Sequence, residues 1–253
     1  MRKTCERSGS LWVPSRREML GALGVGLLAP RPARAATFSL IGSPVGGGLG
    51  KDPTKTIGPL DTTGADLLVI VLASSDAEPP SQSGTDSKGN TWTALTASVR
   101  AGWSQCRIWY CVPGSKVGTG HTVTWTASGS FYLSGYFAAF SGCNPIGTVD
   151  QQSGAANATS PGSITPSQNN ELVVAGISAW PQPVVSVDAS MTLLGANVRD
   201  GGSNYCTCGM AYKIQTTAAP INPAWNTSDA LVIASFKSAS GGGVRHRVVS
   251  GGE

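Results

Sequence analysis

Histidine is nearly missing from this chain: His121 and His246 are the two among 253 residues. An imidazole base needs an orienting partner, and no carboxylate spacing supplies one to His121, which the sequence places at a strand start, on the rim. His246 falls in the final run of residues. Charged side chains make up 13% of the chain. No apolar run reaches the roughly 20 residues a membrane-crossing helix needs. After residue 35 no long segment has helical periodicity. A nucleophile elbow is absent as well. Gly46 to Lys51 is glycine-rich but lacks the phosphate-loop spacing, so it reads as a flexible lead-in.

The basic excess is also less than it looks. The formal net charge is +4, from 18 Lys and Arg against 14 Asp and Glu. Seven of those basic residues and two of the acidic ones lie in residues 1–35, leaving 11 against 12. Clustered Lys and Arg are what a phosphate backbone or an anionic membrane requires. Nucleic acid is therefore not an expected partner, and no stable membrane anchor is expected. Six cysteines are present, five of them after residue 35. An odd number argues against a complete disulfide framework.

Residues 1–35 have the layout of an export signal: a basic start, a short apolar run over Met19 to Ala29, and the small-x-small site Ala33-Arg34-Ala35. Ser15-Arg16-Arg17-Glu18-Met19-Leu20 resembles the twin-arginine export motif, an address read by a receptor. Gly21, Gly24 and Gly26 keep the apolar run only mildly hydrophobic. That route carries folded proteins, which implies a domain that folds before disulfides can form. The expected location is periplasmic or extracellular.

Beyond the leader the chain is rich in Gly, Ser, Thr, Val and Ala, a composition suited to short strands and tight turns. Asp66 to Ser74 is continuously apolar and reads as a strand buried on both faces. Gln105 to Val112 should place Cys106, Ile108 and Tyr110 on one face and Arg107, Trp109 and Cys111 on the other. In Thr122 to Thr126, Val123 and Trp125 point inward and the threonines outward. Asp86 to Asn90 is a polar turn.

The second half repeats this order. Leu172 to Ile177 echoes Leu68 to Ala73 at an offset of 104, Cys208 to Tyr212 echoes Cys106 to Tyr110 at 102, Trp225 echoes Trp125 at 100, and Ala234-Ser235-Phe236 echoes Ala138-Ala139-Phe140 at 96. These matches predict an all-β fold: a two-sheet antiparallel sandwich, jelly-roll-like, from two degenerate four-strand halves near 57–142 and 170–238. A half cannot bury its inner face alone, so the halves should face each other within one domain, 36–238. Asp150 to Asn170 is expected as their connection, and 239–253 as a flexible tail.

The run DSKGNTWTAL, then RIWYCV, then HTVTWTASGS, then a strand ending FSG, resembles a β-sandwich module widespread in exported bacterial proteins and some phage structural proteins. The resemblance covers roughly residues 37–238 and implies a jelly-roll-like sandwich without a catalytic signature. No catalytic residue is therefore assigned.

Cys206-x-Cys208-x-Met210 puts three soft ligands on one strand face, which could hold copper or zinc. Through the repeat they match core positions, and no fourth ligand closes a zinc site, so no metal or other cofactor is expected. Asp86 and Asn90 lack calcium-loop spacing. Six tryptophans follow the leader. Trp103, after a glycine at a loop edge, and Trp180, opening a Pro-Gln-Pro loop, are the candidate ligand-binding residues. Flat rings there could stack on sugars, or could instead cap the open ends of the core. The leading expectation is an exported, non-enzymatic module that binds a glycan or another cell-surface partner. The alternatives are a structural component of a surface layer, appendage or virion, and a hydrolase. The sequence leaves the oligomeric state open.

Overall fold

A computed structural model describes residues 37–48, 52, 54–75, 81–127, 132–146, 148–181, 184–197 and 206–239. The expected export signal lies outside the described residues, as does the tail beyond Ala239. Among the described residues fourteen strands build the fold: β1 Ser39–Gly47, β2 Thr54–Leu60, β3 Leu67–Ser75, β4 Gln82–Asp86, β5 Thr93–Ala94, β6 Ser98–Arg100, β7 Ser104–Cys111, β8 His121–Ala127, β9 Tyr132–Ser141, β10 Val149–Ala158, β11 Glu171–Ala179, β12 Thr192–Asn197, β13 Thr207–Gln215 and β14 Asp229–Phe236. They pair antiparallel throughout. The fold is an all-β antiparallel sandwich.

Its central pair of sheets carries the repeat. One runs β1-β9-β3-β7-β5, with β6 also on β7; the other runs β10-β14-β11-β13-β12. Each strand of the second occupies the place of its counterpart in the first. Leu67 pairs with Phe140, and Leu172 pairs with Phe236. Leu67 and Leu172 stand 105 positions apart, so the first offset is 105 and not the 104 read from the apolar run. That single step decides which face each side chain takes. With it, Leu67, Val69 and Leu172, Val174 all enter the interior between the two sheets, beside Cys106, Ile108, Phe140 and their counterparts Cys208, Met210, Phe236.

The two sheets meet symmetrically. β3 packs on its own counterpart β11; β7 packs on β14 as β9 does on β13; β10 meets β6 as β1 meets β12. Self-complementary packing of this kind defines a pseudo-two-fold axis between β3 and β11.

A third sheet, β2-β8-β4, covers the outer face of the first. The expected pair of sheets is thus extended by one layer, and Trp125 does not meet its counterpart in the middle. It is fully buried between the third sheet and Leu68, Ile70 and Phe137. Gly84 lies opposite Trp125, and any Cβ there would enter the indole ring. Trp225 is buried on the far side, against Val173, Ala175 and Ile177. There the third layer is reduced to isolated bridges, Ile164 to Ile221 and Val187 to Trp225.

Two expectations are corrected. Val149–Ala158 is not a connection but the edge strand β10, hydrogen-bonded to β14. Gly46 and Gly47 are not a loose lead-in: they pair with Tyr136 and Gly135 at the end of β1.

Candidate functional site

One end of the sandwich differs chemically from the rest. Here β3 and β11 end, and β7, β9, β13 and β14 begin. Apolar filling gives way to Ser74, Ser75, Ser104, Ser134, Ser178, Thr207 and Asp229, all buried. Polar groups are tolerated in a core only when bonded, and several of these bridge the two sheets. The Ser178 hydroxyl donates to the Ser74 carbonyl at 3.3 Å, and that of Ser134 to the Cys206 carbonyl at 3.0 Å.

Asp229 is the hub, with no exposed surface. One carboxylate oxygen accepts from the Ser104 hydroxyl and the Ala230 amide. The other accepts from the Trp180 amide at 2.7 Å and from Arg100 Nη1 at 3.2 Å. A buried carboxylate needs such a set of donors and a cation beside it.

Both candidate tryptophans belong to this network. Trp103 sits in the turn joining β6 to β7, 49% exposed. The Arg100 guanidinium carbon lies 5.2 Å from its ring centre. One ring face is thus held by a cation that Asp229 fixes, and much of the ring remains open. Trp180 is half-buried and stacks on Tyr132, with ring centres 5.7 Å apart and planes at 23°. The sequence pointed to both rings but missed Arg100, Tyr132 and Asp229. Asp229 left one visible trace: a lone acid directly before the apolar run ALVIASF.

No protein-family model, curated protein or solved structure matches this chain. Its chemistry is therefore read from its own geometry.

The soft-ligand pattern resolves into core. Cys206, Cys208 and Met210 are buried beside Cys106. Burial pushes the Cys206 thiol up to about 11 and those of Cys106 and Cys208 well above the usual range.

His121 is not on the rim. It is fully buried, with Nδ1 2.9 Å from the Thr62 hydroxyl and Nε2 3.3 Å from Asp86 Oδ2. Sequence reasoning found no carboxylate for it; the fold supplies one from β4. Thr62 is fully buried, so the threonine, histidine and aspartate have no open side for a substrate. They tie the layers together instead. The rest of Asp86 is spent on the turn: its oxygens accept from the amides of Lys88 and Asn90 and from the Trp92 indole.

Proposed function

We propose that the chain is an exported, non-enzymatic module that binds glycans at the Trp103–Trp180 end of its sandwich. The observation that carries this reading is the half-exposed Trp103 ring, rooted through Arg100 in the buried Asp229. An aromatic face held open by a buried ion pair is poised for stacking on the apolar face of a sugar ring. The Tyr132–Trp180 stack is tied to the same carboxylate through the Trp180 amide. The leader over residues 1–35 supports an extracellular or periplasmic location. Retention of the purified chain on polysaccharide matrices tests the reading. Retention that falls in Trp103→Ala supports it; no retention on any matrix, with the variant indistinguishable, overturns it.

A structural role is the second reading, favoured by the outer face of the third sheet. Thr54 and Thr126 pair across β2 and β8 with hydroxyls 3.2 Å apart, and Thr56 and Thr124 with hydroxyls 2.9 Å apart. Ser83 and Thr85 extend both rows on β4. This polar hydroxyl face suits lateral packing in an assembly, which predicts ordered oligomers by light scattering where a glycan binder would be monomeric.

A further inference from the structure

The β6–β7 hairpin that carries Trp103 has a second face. On it, Gln105 and Arg107 point toward β4, and with Gln82, Thr96, Ala97 and Val99 they line a cleft of about 600 Å³. That volume suits a small ligand or a few sugar units.

Two polar atoms at this cleft have neither solvent nor a hydrogen-bond partner among the described residues: Gln105 Oε1 and Arg107 Nε. Gln105 is 3% exposed, so its acceptor is deeply placed. Leaving such groups unsatisfied costs about 1–3 kcal/mol each, and native folds rarely do so without cause. Gln82, beside them, is already engaged, its amide reaching the Ser74 hydroxyl and accepting from the Trp109 indole.

The two orphans are complementary, one a donor on a cation, the other a neutral acceptor. Arg107 lies over the Trp109 ring, its guanidinium carbon 5.8 Å from the ring centre. A guanidinium resting on a ring keeps its planar fork for bidentate contact with a planar anion. No acidic residue lines the cleft, and among the described residues no carboxylate lies within ion-pair distance of Arg107. A carboxylate matches the guanidinium edge bidentately, and a neighbouring hydroxyl would donate to Gln105. Acidic sugars carry both groups on one ring.

We infer that this cleft binds an acidic sugar of the uronate class, its carboxylate on Arg107 and a ring hydroxyl donating to Gln105. The inference rests on the glycan-binding reading and names its substrate class. With Trp103 at the turn of the same hairpin, one element supplies both the charge contact and the stacking surface.

The test is calorimetric titration of the full chain with an oligogalacturonate and with its carboxyl-reduced, neutral counterpart. The acidic oligomer should bind about tenfold tighter or better, the scale of one charge-assisted hydrogen bond. Arg107→Gln should erase that preference while near-ultraviolet circular dichroism stays native. Should Arg107→Gln fail to fold, Thr96→Trp, a substitution at the exposed rim, should block the acidic oligomer instead. Equal affinity for both oligomers, or an unchanged preference in these variants, overturns the inference and leaves the glycan-binding reading standing. Absence of binding to either oligomer, with retention on other polysaccharides lost in Trp103→Ala, likewise overturns only the inference; absence of any glycan binding overturns both. Acetate binding as tightly as the oligomer overturns the sugar assignment.

Discussion

Val71 and Gly176 hold the same position in the two halves of the chain, and they meet. Both lie on the central strands that cross at the pseudo-axis, and a Cβ built on Gly176 would collide with the Val71 side chain. Two identical residues cannot share a point on such an axis unless both are small. The chain resolves this by letting one grow and the other shrink.

A swap should therefore be tolerated better than either single change. Gly176→Val overfills the contact and should destabilise by about 1–3 kcal/mol or more. Val71→Gly opens a cavity and adds backbone freedom, for a loss of about 2 kcal/mol or more. The double variant should recover much of the summed loss, a coupling that a double-mutant cycle in urea would measure. Strict additivity would mean that the two positions do not face each other.

Asp229 should be the most sensitive polar residue of the candidate site. Asp229→Ala strands the Arg100 cation, the Ser104 hydroxyl and the Trp180 amide around a vacated hub. Breaking a buried pair from one side costs about 3–5 kcal/mol, so the midpoint of chemical unfolding should fall sharply. Trp103→Ala, at an exposed ring, should shift stability by well under about 1 kcal/mol while removing ligand retention. Equal stability losses in both variants would contradict this division of roles.

The thiols should be silent in the folded chain. All five cysteines after residue 35 are buried. Burial drives Cys111 and Cys143 up to about 12. The reactive thiolate is scarce under those conditions. In a chain carrying Cys5→Ser, a disulfide reagent should label none at neutral pH and all five after denaturation. Rapid native labelling of any of them would show an opening that this fold lacks.

Acid should weaken the fold through His121. Burial holds its pKa below the ordinary 6.5, and the neighbouring Asp86 only partly offsets that effect. The unfolded chain therefore takes up this proton first as pH drops. Stability from this group is full above about pH 6.5 and declines below it until the folded-state value is reached, by at most about 1.4 kcal/mol per pH unit. Asp86 itself sits below 3.8, so its own loss comes only in stronger acid. Urea titrations at pH 7.5 and 5.5 should show the decline in the parent chain and a smaller one in His121→Gln.

The sequence showed strands and faces well where alternation had a phase. β8 reads Val and Trp inward against outward threonines, and the structure agrees. β7 divides Cys106 and Ile108 from Trp109 and Cys111 as its period-2 pattern predicts. β3 is buried along its whole length, so its apolar run carries no phase and leaves the repeat offset ambiguous by one residue. Only pairing with β9 and β14 sets it. β10 reads as a linker because an edge strand with polar residues has little apolar signature. The Asp229 hub escaped notice for another reason. Its partners Ser104 and Arg100 lie 125 and 129 residues away, and no local pattern reports a contact at that range.

Layers that clasp through matching strands are what two copies of one polypeptide produce when they dimerise. Here the copies are fused in a single chain, so each is free to drift. The first half carries a hydrogen-bonded outer sheet around Trp125; among the described residues the second has bridges around Trp225, and it supplies the aspartate that organises the shared polar end. A symmetric homodimer would bring two such aspartates to this one end; the single chain brings one.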